Sequence, residues 1–172
     1  AEAETTTYYL VEELIQGVDL QTLLHVRYED DTVPTLGLTE RESRAIFREL
    51  IQAMKHCHDN NIIHRDVKPS NIMIADSGVT LDDQILPFAK NFVKLIDFGL
   101  STPTGEASHD FGTNHYRASE MWNFAGAQNF DVSSTTAGDV YALGVTLFEM
   151  IFNEVPFENA RDHQCHSLVT VL

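Results

Sequence analysis

Three short stretches of this 172-residue chain group side chains that could do chemistry together. The first is His64-Arg65-Asp66-Val67-Lys68-Pro69-Ser70-Asn71 and the second is Asp97-Phe98-Gly99. The third is Gly112-Thr113-Asn114-His115-Tyr116-Arg117-Ala118-Ser119-Glu120, followed by Asp139-Val140-Tyr141-Ala142-Leu143-Gly144. Phosphoryl transfer spreads negative charge over the equatorial oxygens, so a protein assists it mainly by positioning groups and neutralising charge. Asp66 could orient an attacking hydroxyl and accept its proton, and Lys68, two residues on, could reach the transferring phosphate. Magnesium takes a few oxygen ligands and keeps several waters, so one amide oxygen (Asn71) and one carboxylate (Asp97) suffice.

Those groups need elements that bring them together. Asn71 lies five residues after Asp66 across a turn stiffened by Pro69, so both can face one cavity. The runs NIMIA (71–75) and FVKLI (92–96) read as strands. Paired antiparallel, they set Asp97 beside Asn71, and Gly99 lets the following loop swing. Thr39 with Glu42 three residues later makes a capping box, and Ile46, Phe47, Leu50, Ile51 and Met54 recur at helical spacing to about Asp59. Asn60-Asn61 suits that helix's end. A second strong helix spans about 138–152, with Val140, Leu143, Leu147, Met150 and Ile151 on its apolar side. YYLVEELI (8–15) reads as a strand running into a connector, Gly17 permits a turn, and Asp19 caps the short helix DLQTLL. Residues 1–7, 30–37, 76–91 and 99–115 carry no periodicity.

HRDVKPSN and DFG resemble the catalytic and magnesium-binding loops of eukaryotic-type protein kinases of the serine/threonine kind. The resemblance covers almost the whole chain. It implies an α+β, mainly α fold: a protein-kinase-like large lobe with a short β-hairpin layer and the small lobe largely missing. Within 1–172, residues 1–7 would be a frayed lead-in. Residues 8–20 would be the last small-lobe strand, the hinge and the start of the next helix, and 21–172 a large lobe truncated after its central helix. The implied roles are Asp66 as base, Lys68 as phosphate-neutralising lysine, and Asn71 and Asp97 as metal ligands. Thr113 would bond the catalytic Asp and Lys. The backbones of Glu13 and Ile15 would hold the adenine edge, Asp19 the ribose, and Met73 the floor under the base, with Ser70 beside the nucleotide. Asp139 would anchor the catalytic loop's backbone, and His64 and Phe98 would stack in a buried column. The implied cofactors are ATP and Mg2+, and the implied partner is a protein or peptide presenting Ser or Thr.

Departures bear on activity. None of the nine glycines forms GxGxxG, and no lysine precedes Lys55, so the phosphate-covering loop and the strand lysine would have to lie upstream of Ala1. The chain alone is therefore expected to transfer phosphate poorly. The competing reading is a non-catalytic, kinase-like binding module. Glu12 is an unusual acid at the pocket gate, Ser119 replaces a proline, Glu120 calls for an arginine beyond Leu172, and the hairpin carries an insertion around 79–91. Arg65 implies an activation loop with a negative partner: Ser101, Thr102, Thr104 and Ser108 are candidates, His109 stands where relatives place a threonine, and Glu106 and Asp110 could substitute for phosphate. Asp19 and Glu149 occupy positions where relatives that prefer basic substrates place acids.

Twenty-six acidic residues against 11 basic give a net charge of −15, which repels nucleic acid and anionic membranes and either favours basic peptides or metal ions or serves only solubility. Two distant cysteines without CxxC make no disulfide framework, and no run reaches a membrane span. The expected setting is intracellular, cytoplasmic or nuclear. His56-Cys57-His58 with His163-Cys165-His166 lacks zinc spacing, and histidines at a helix end suit the negative terminus.

Overall fold

The computed structural model describes residues 9–29, 37–75, 92–105, 112–118, 121 and 135–157. The lead-in 1–7, the 79–91 insertion, Glu106, Ser108, His109, Asp110, Ser119, Glu120 and the His163-Cys165-His166 group lie outside them.

Helix α2 (Glu40–Asp59) begins where the capping box requires. The Glu42 amide donates to Thr39 Oγ1 at 3.3 Å, and Glu42 Oε2 accepts from the Thr39 amide at 2.8 Å. Two orphan donors of the first turn are thereby satisfied. Ser43, Ile46, Leu50, Met54 and Cys57 are buried, one stripe at helical spacing. Ile51, expected in that stripe, is 45% exposed on its flank. The chain leaves the helix at Asn60 and turns through Asn61 at φ 57°, a conformation asparagine tolerates.

Helix α1 (Leu20–Glu29) runs longer than DLQTLL, and Asp19 caps it by accepting from the Thr22 amide at 2.8 Å. Leu20, Leu23 and Leu24 face the core, and Arg27 donates to Glu42, tying α1 to the first turn of α2. Helix α3 (Thr136–Phe152) differs from expectation in the face it buries. Val140 and Ile151 are 58% and 41% exposed, while Asp139, Thr146 and Glu149 point inward beside Ala142, Leu143 and Met150. The rotation follows from partners: each inward polar group has one, and a satisfied polar group costs little to bury. At the C-terminal end of α3 the Leu38 amide donates to Met150 O at 2.7 Å. A Cβ on Gly37 would sit 2.5 Å from Ile151 O, so only glycine allows that approach.

A three-stranded antiparallel sheet, order β1-β3-β4, is built from Gly17–Asp19, Ile72–Ala75 and Val93–Leu95. Its register pairs Asp19 with Met73 and Met73 with Lys94. The β3–β4 hairpin is the expected one. The strand expected over 8–15 is not found: Tyr8 lies outside the described residues, and 9–16 has no regular structure. Tyr9, Leu10, Val11 and Leu14 are 81–91% exposed, and no ladder among the described residues includes them. A strand without a partner has no independent stability. Gly17, read as a turn, instead opens β1 at φ 147°. A second ribbon pairs β2 (Ile62–Ile63) with β5 (Thr102–Pro103) inside a stretch read as loop. Among the described residues no helix is long and apolar enough to cross a membrane.

Candidate active site

The segment between β2 and β3 carries Asp66, Lys68 and Asn71, and its backbone is fixed from α3. The Asp139 carboxylate, 1% exposed, accepts the His64 amide at 2.9 Å on Oδ2 and the Arg65 amide at 2.8 Å on Oδ1. It thereby anchors the loop's backbone. His58, from the last turn of α2, places Nε2 2.8 Å from Asp139 Oδ2. Arg65 turns left-handed at φ 68°, and its Nε donates to Leu100 O. A left-handed arginine is strained and persists only where its surroundings over-determine it; here two amides on one carboxylate do so.

His64 is fully buried. Its Nε2 donates to Ile96 O at 3.0 Å, and Nδ1 accepts the Asp66 amide at 3.3 Å, which assigns the proton to Nε2. Burial pushes its pKa down against the pull of Ile96 O, Asp139, Asp66 and Asp97, keeping the ring neutral. Its ring meets Phe98 edge-on at 4.8 Å rather than stacked, and Phe98 is 36% exposed, not part of a buried column.

Asp66 sits at the centre. Oδ1 accepts the Thr113 amide at 3.0 Å and Thr113 Oγ1 at 2.8 Å. Oδ2 lies 2.8 Å from Lys68 Nζ and 3.0 Å from Asn71 Nδ2. Lys68 also donates to Thr113 Oγ1 at 2.8 Å, and Asn71 Nδ2 to Asp66 O at 2.8 Å. Burial pushes the Asp66 carboxyl up, but donation by Lys68, Thr113 and Asn71 outweighs it, and the pKa lies below the usual value. All four residues expected at the catalytic centre are therefore bonded into one lattice.

Asp97 joins it through the hairpin. The Ile96 amide donates to Asn71 O at 3.0 Å, so Asp97 follows directly on the bond that closes the β3–β4 ladder. Asp97 is left-handed at φ 62°, exposed, and accepts the Gly99 amide on Oδ1 at 3.2 Å. Asn71 commits its amide nitrogen to Asp66, which turns Oδ1 the other way. An amide oxygen and a carboxylate are thus presented with accepting capacity left over, and this pair fits magnesium's preference for hard oxygens.

Of the residues expected around a nucleotide, Asp19 and Met73 lie on the three-stranded sheet, Glu13 and Ile15 in the irregular 9–16 segment, and Ser70 in the turn before β3. Met73 is flanked by Asp19 and Lys94 in register, on the face opposite Ile72 and Ile74, which pack into the core. Lys94 Nζ donates to Glu13 Oε2 at 3.2 Å, drawing the 9–16 segment to the sheet, with Ile15 half-buried. Both Asp19 oxygens are engaged by Thr22, at 2.8 and 2.7 Å. Ser70 is exposed in the 3-10 turn Pro69–Asn71.

Glu149, one of the two acids adduced for basic substrates, is bonded within the fold. It is 7% exposed, and its Oε2 accepts the Tyr116 hydroxyl at 2.5 Å. Asp19, the other such acid, is half-buried and caps α1. Thr102 is buried in β5 opposite Ile63, whereas Thr104 is exposed.

Three features of the site lie beyond what the sequence signals plainly. Nothing local marks His58 for its role on Asp139. The Tyr116–Glu149 bond has one faint signal, an acid in an apolar helical run. Gly112 sits at φ 89°, and a Cβ there would lie 2.5 Å from Arg65 O, a constraint that only the folded loop reveals. Gly112→Ala is expected to lift Thr113 off Asp66 and to lower stability by about 1–3 kcal/mol, read by urea unfolding.

Burial pushes the Glu149 carboxyl up despite donation from Tyr116 and Gln21, and it pushes the Tyr116 phenol far up. A raised carboxyl binds its proton more tightly folded than unfolded, so this stabilisation is full below 4.5 and is lost as pH rises through the folded value. Tyr116→Phe leaves the buried carboxyl short of a donor and is expected to cost about 1–2 kcal/mol. Urea melts at pH 5 and 8 should show wild type losing more stability than Glu149→Gln across that interval.

Comparison with known proteins gives a consistent picture. The family model described as "Protein kinase domain" matches residues 1–171. The chain is 36% identical over 155 residues to Sperm motility kinase 2B of Mus musculus, covering 88% of this chain and 26% of that protein. It is 32% identical over 171 residues to Testis-specific serine/threonine-protein kinase 5 of Mus musculus, covering 95% and 39%. It is 30% identical over 155 residues to Probable serine/threonine-protein kinase PknB of Lactococcus lactis subsp. lactis (strain IL1403), covering 87% and 20%. The chain thus spans well under half the length of these curated relatives.

Proposed function

This chain belongs to the protein kinase domain family, and on that footing we propose that the protein containing it transfers the γ-phosphoryl group of Mg-ATP to serine and threonine hydroxyls of protein substrates. The observation that carries the reading is the lattice of Asp66, Lys68, Asn71 and Thr113, with Asp97 held one residue past the hairpin bond. Its serine/threonine preference rests on Lys68 two positions after Asp66 and on the printed names of the relatives.

Asp66 orients the acceptor hydroxyl and takes its proton. A carboxylate with a depressed pKa is a weak base, which suffices because a loose phosphoryl transition state asks little proton removal early on. Lys68 neutralises charge developing on the transferred group, and the Thr113 hydroxyl bridges Lys68 and Asp66, accepting from the first and donating to the second. Asn71 Oδ1 and the Asp97 carboxylate would hold magnesium, which supplies charge neutralisation between the phosphates. Met73 and the Glu13–Ile15 backbone would receive the base.

The test is phosphate incorporation by the full-length protein from Mg-ATP into peptides differing only in Ser, Thr, Tyr or Ala at one position. Label is expected on Ser and Thr alone, and chelation of magnesium should abolish it. Absence of label on every peptide would reject the reading in favour of a binding module.

A further inference from the structure

The Asp66 carboxylate is saturated. A carboxylate has about four lone-pair positions, and here Oδ1 receives the Thr113 amide and hydroxyl while Oδ2 receives Lys68 Nζ and Asn71 Nδ2. The residue is 8% exposed. A substrate hydroxyl that is to donate to Asp66 must therefore displace one of four donors already there.

The four are not equally held. The Thr113 amide is backbone, placed by left-handed Gly112 pressed on Arg65 O. The Thr113 hydroxyl belongs to the same residue and also accepts from Lys68. Asn71 Nδ2 donates to Asp66 O at 2.8 Å as well, so it stays in place whatever happens at Oδ2. Lys68 is different. Its ammonium rides on a flexible four-carbon stem with the side chain 23% exposed, and it is a compact cation that a phosphate can draw away.

We propose that Lys68 is a gate as well as a phosphate-neutralising group. Without nucleotide it occupies the Oδ2 position that the acceptor hydroxyl needs, and its move to a phosphate opens that position. The hydroxyl is then held by Asp66 only after the nucleotide is in place. An acceptor arriving first docks without its hydroxyl engaged, which suppresses unproductive alignment at an empty site. This inference rests on the phosphotransferase reading above and adds an order of events to it.

The experiment compares binding of two peptides to the full-length protein: one that it phosphorylates, and its twin with Ala in place of the acceptor Ser. Fluorescence anisotropy gives both Kd values, without nucleotide and with magnesium plus a non-hydrolysable ATP analogue. For wild type the Ala/Ser ratio of Kd is expected to be about one without nucleotide and about ten with it, the size of a hydrogen bond to a charged acceptor. Lys68→Met vacates the Lys68 position on Oδ2 and leaves Asn71 on it, so its ratio is expected to be about ten without nucleotide. A wild-type ratio near ten without nucleotide, or a ratio unchanged by the analogue, overturns the gate. So does a ratio of one in nucleotide-free Lys68→Met that melts like wild type. Failure of the wild-type protein to phosphorylate any peptide is a separate result: it removes the phosphotransferase reading, and the gate with it.

Discussion

Asp66→Asn in the full-length protein is expected to lower kcat for peptide phosphorylation by roughly 10²–10⁴-fold, the usual range for a positioned general base. The change is nearly isosteric but inverts half the chemistry. An asparagine offers one oxygen acceptor and one donating nitrogen, whereas the site presents donors on both sides: Thr113 amide and hydroxyl at Oδ1, Lys68 and Asn71 at Oδ2. Whichever way the amide is turned, an NH2 faces an N–H or an ammonium. The acceptor hydroxyl then loses both its orienting partner and its proton sink. The sheet residues Met73 and Asp19, and Glu13 beside them, are not touched by the change, so KM for ATP should stay within a few-fold. Wild-type rates in this variant would remove Asp66 from the chemistry.

The second large effect is on stability. Asp139→Ala is expected to cost about 3–5 kcal/mol, measured by urea unfolding. The carboxylate is 1% exposed and serves three partners from two elements: the His64 and Arg65 amides and His58 Nε2. Removing it strips both amides of this acceptor in a segment where water has little access. The Arg65 backbone then loses a bond that holds it left-handed at φ 68°. Asp139→Asn should be nearly as damaging, because the amide group keeps only one oxygen for two N–H donors. Hydrogen exchange at His64 and Arg65 should accelerate in both variants even where the rest of the fold is protected. Unchanged exchange there would mean that the loop is fixed by something else.

How far the sequence foretells the structure follows a physical rule. Features encoded within a few residues are legible: the Thr39–Glu42 box, the Asn60-Asn61 exit, the Asp19 cap and the turn that brings Asn71 to Asp66. The β3–β4 hairpin is legible because both runs have strand composition and bounded ends. The central lattice is legible through resemblance, since nothing local says that Thr113 meets Asp66 across 47 positions. Features set by distant pairing are not. The two-residue ribbon of Ile62–Ile63 with Thr102–Pro103 is too short to leave a period of two. The buried face of α3 cannot be found by hydrophobicity alone, because Asp139 and Glu149 are inside on account of partners from other elements. The 8–15 run has strand composition, but strands are defined by partners, and pairing begins only at Gly17.

Two residues that set the site, Arg65 and Asp97, hold left-handed backbones without being glycine. Each such conformation costs about 1–3 kcal/mol, and both are kept by a handful of bonds rather than by core packing. Heat should release these two points before the Leu20–Leu50–Met150 interior gives way. The protein would then stop working at a temperature where most of its helical signal survives, and cooling would restore it.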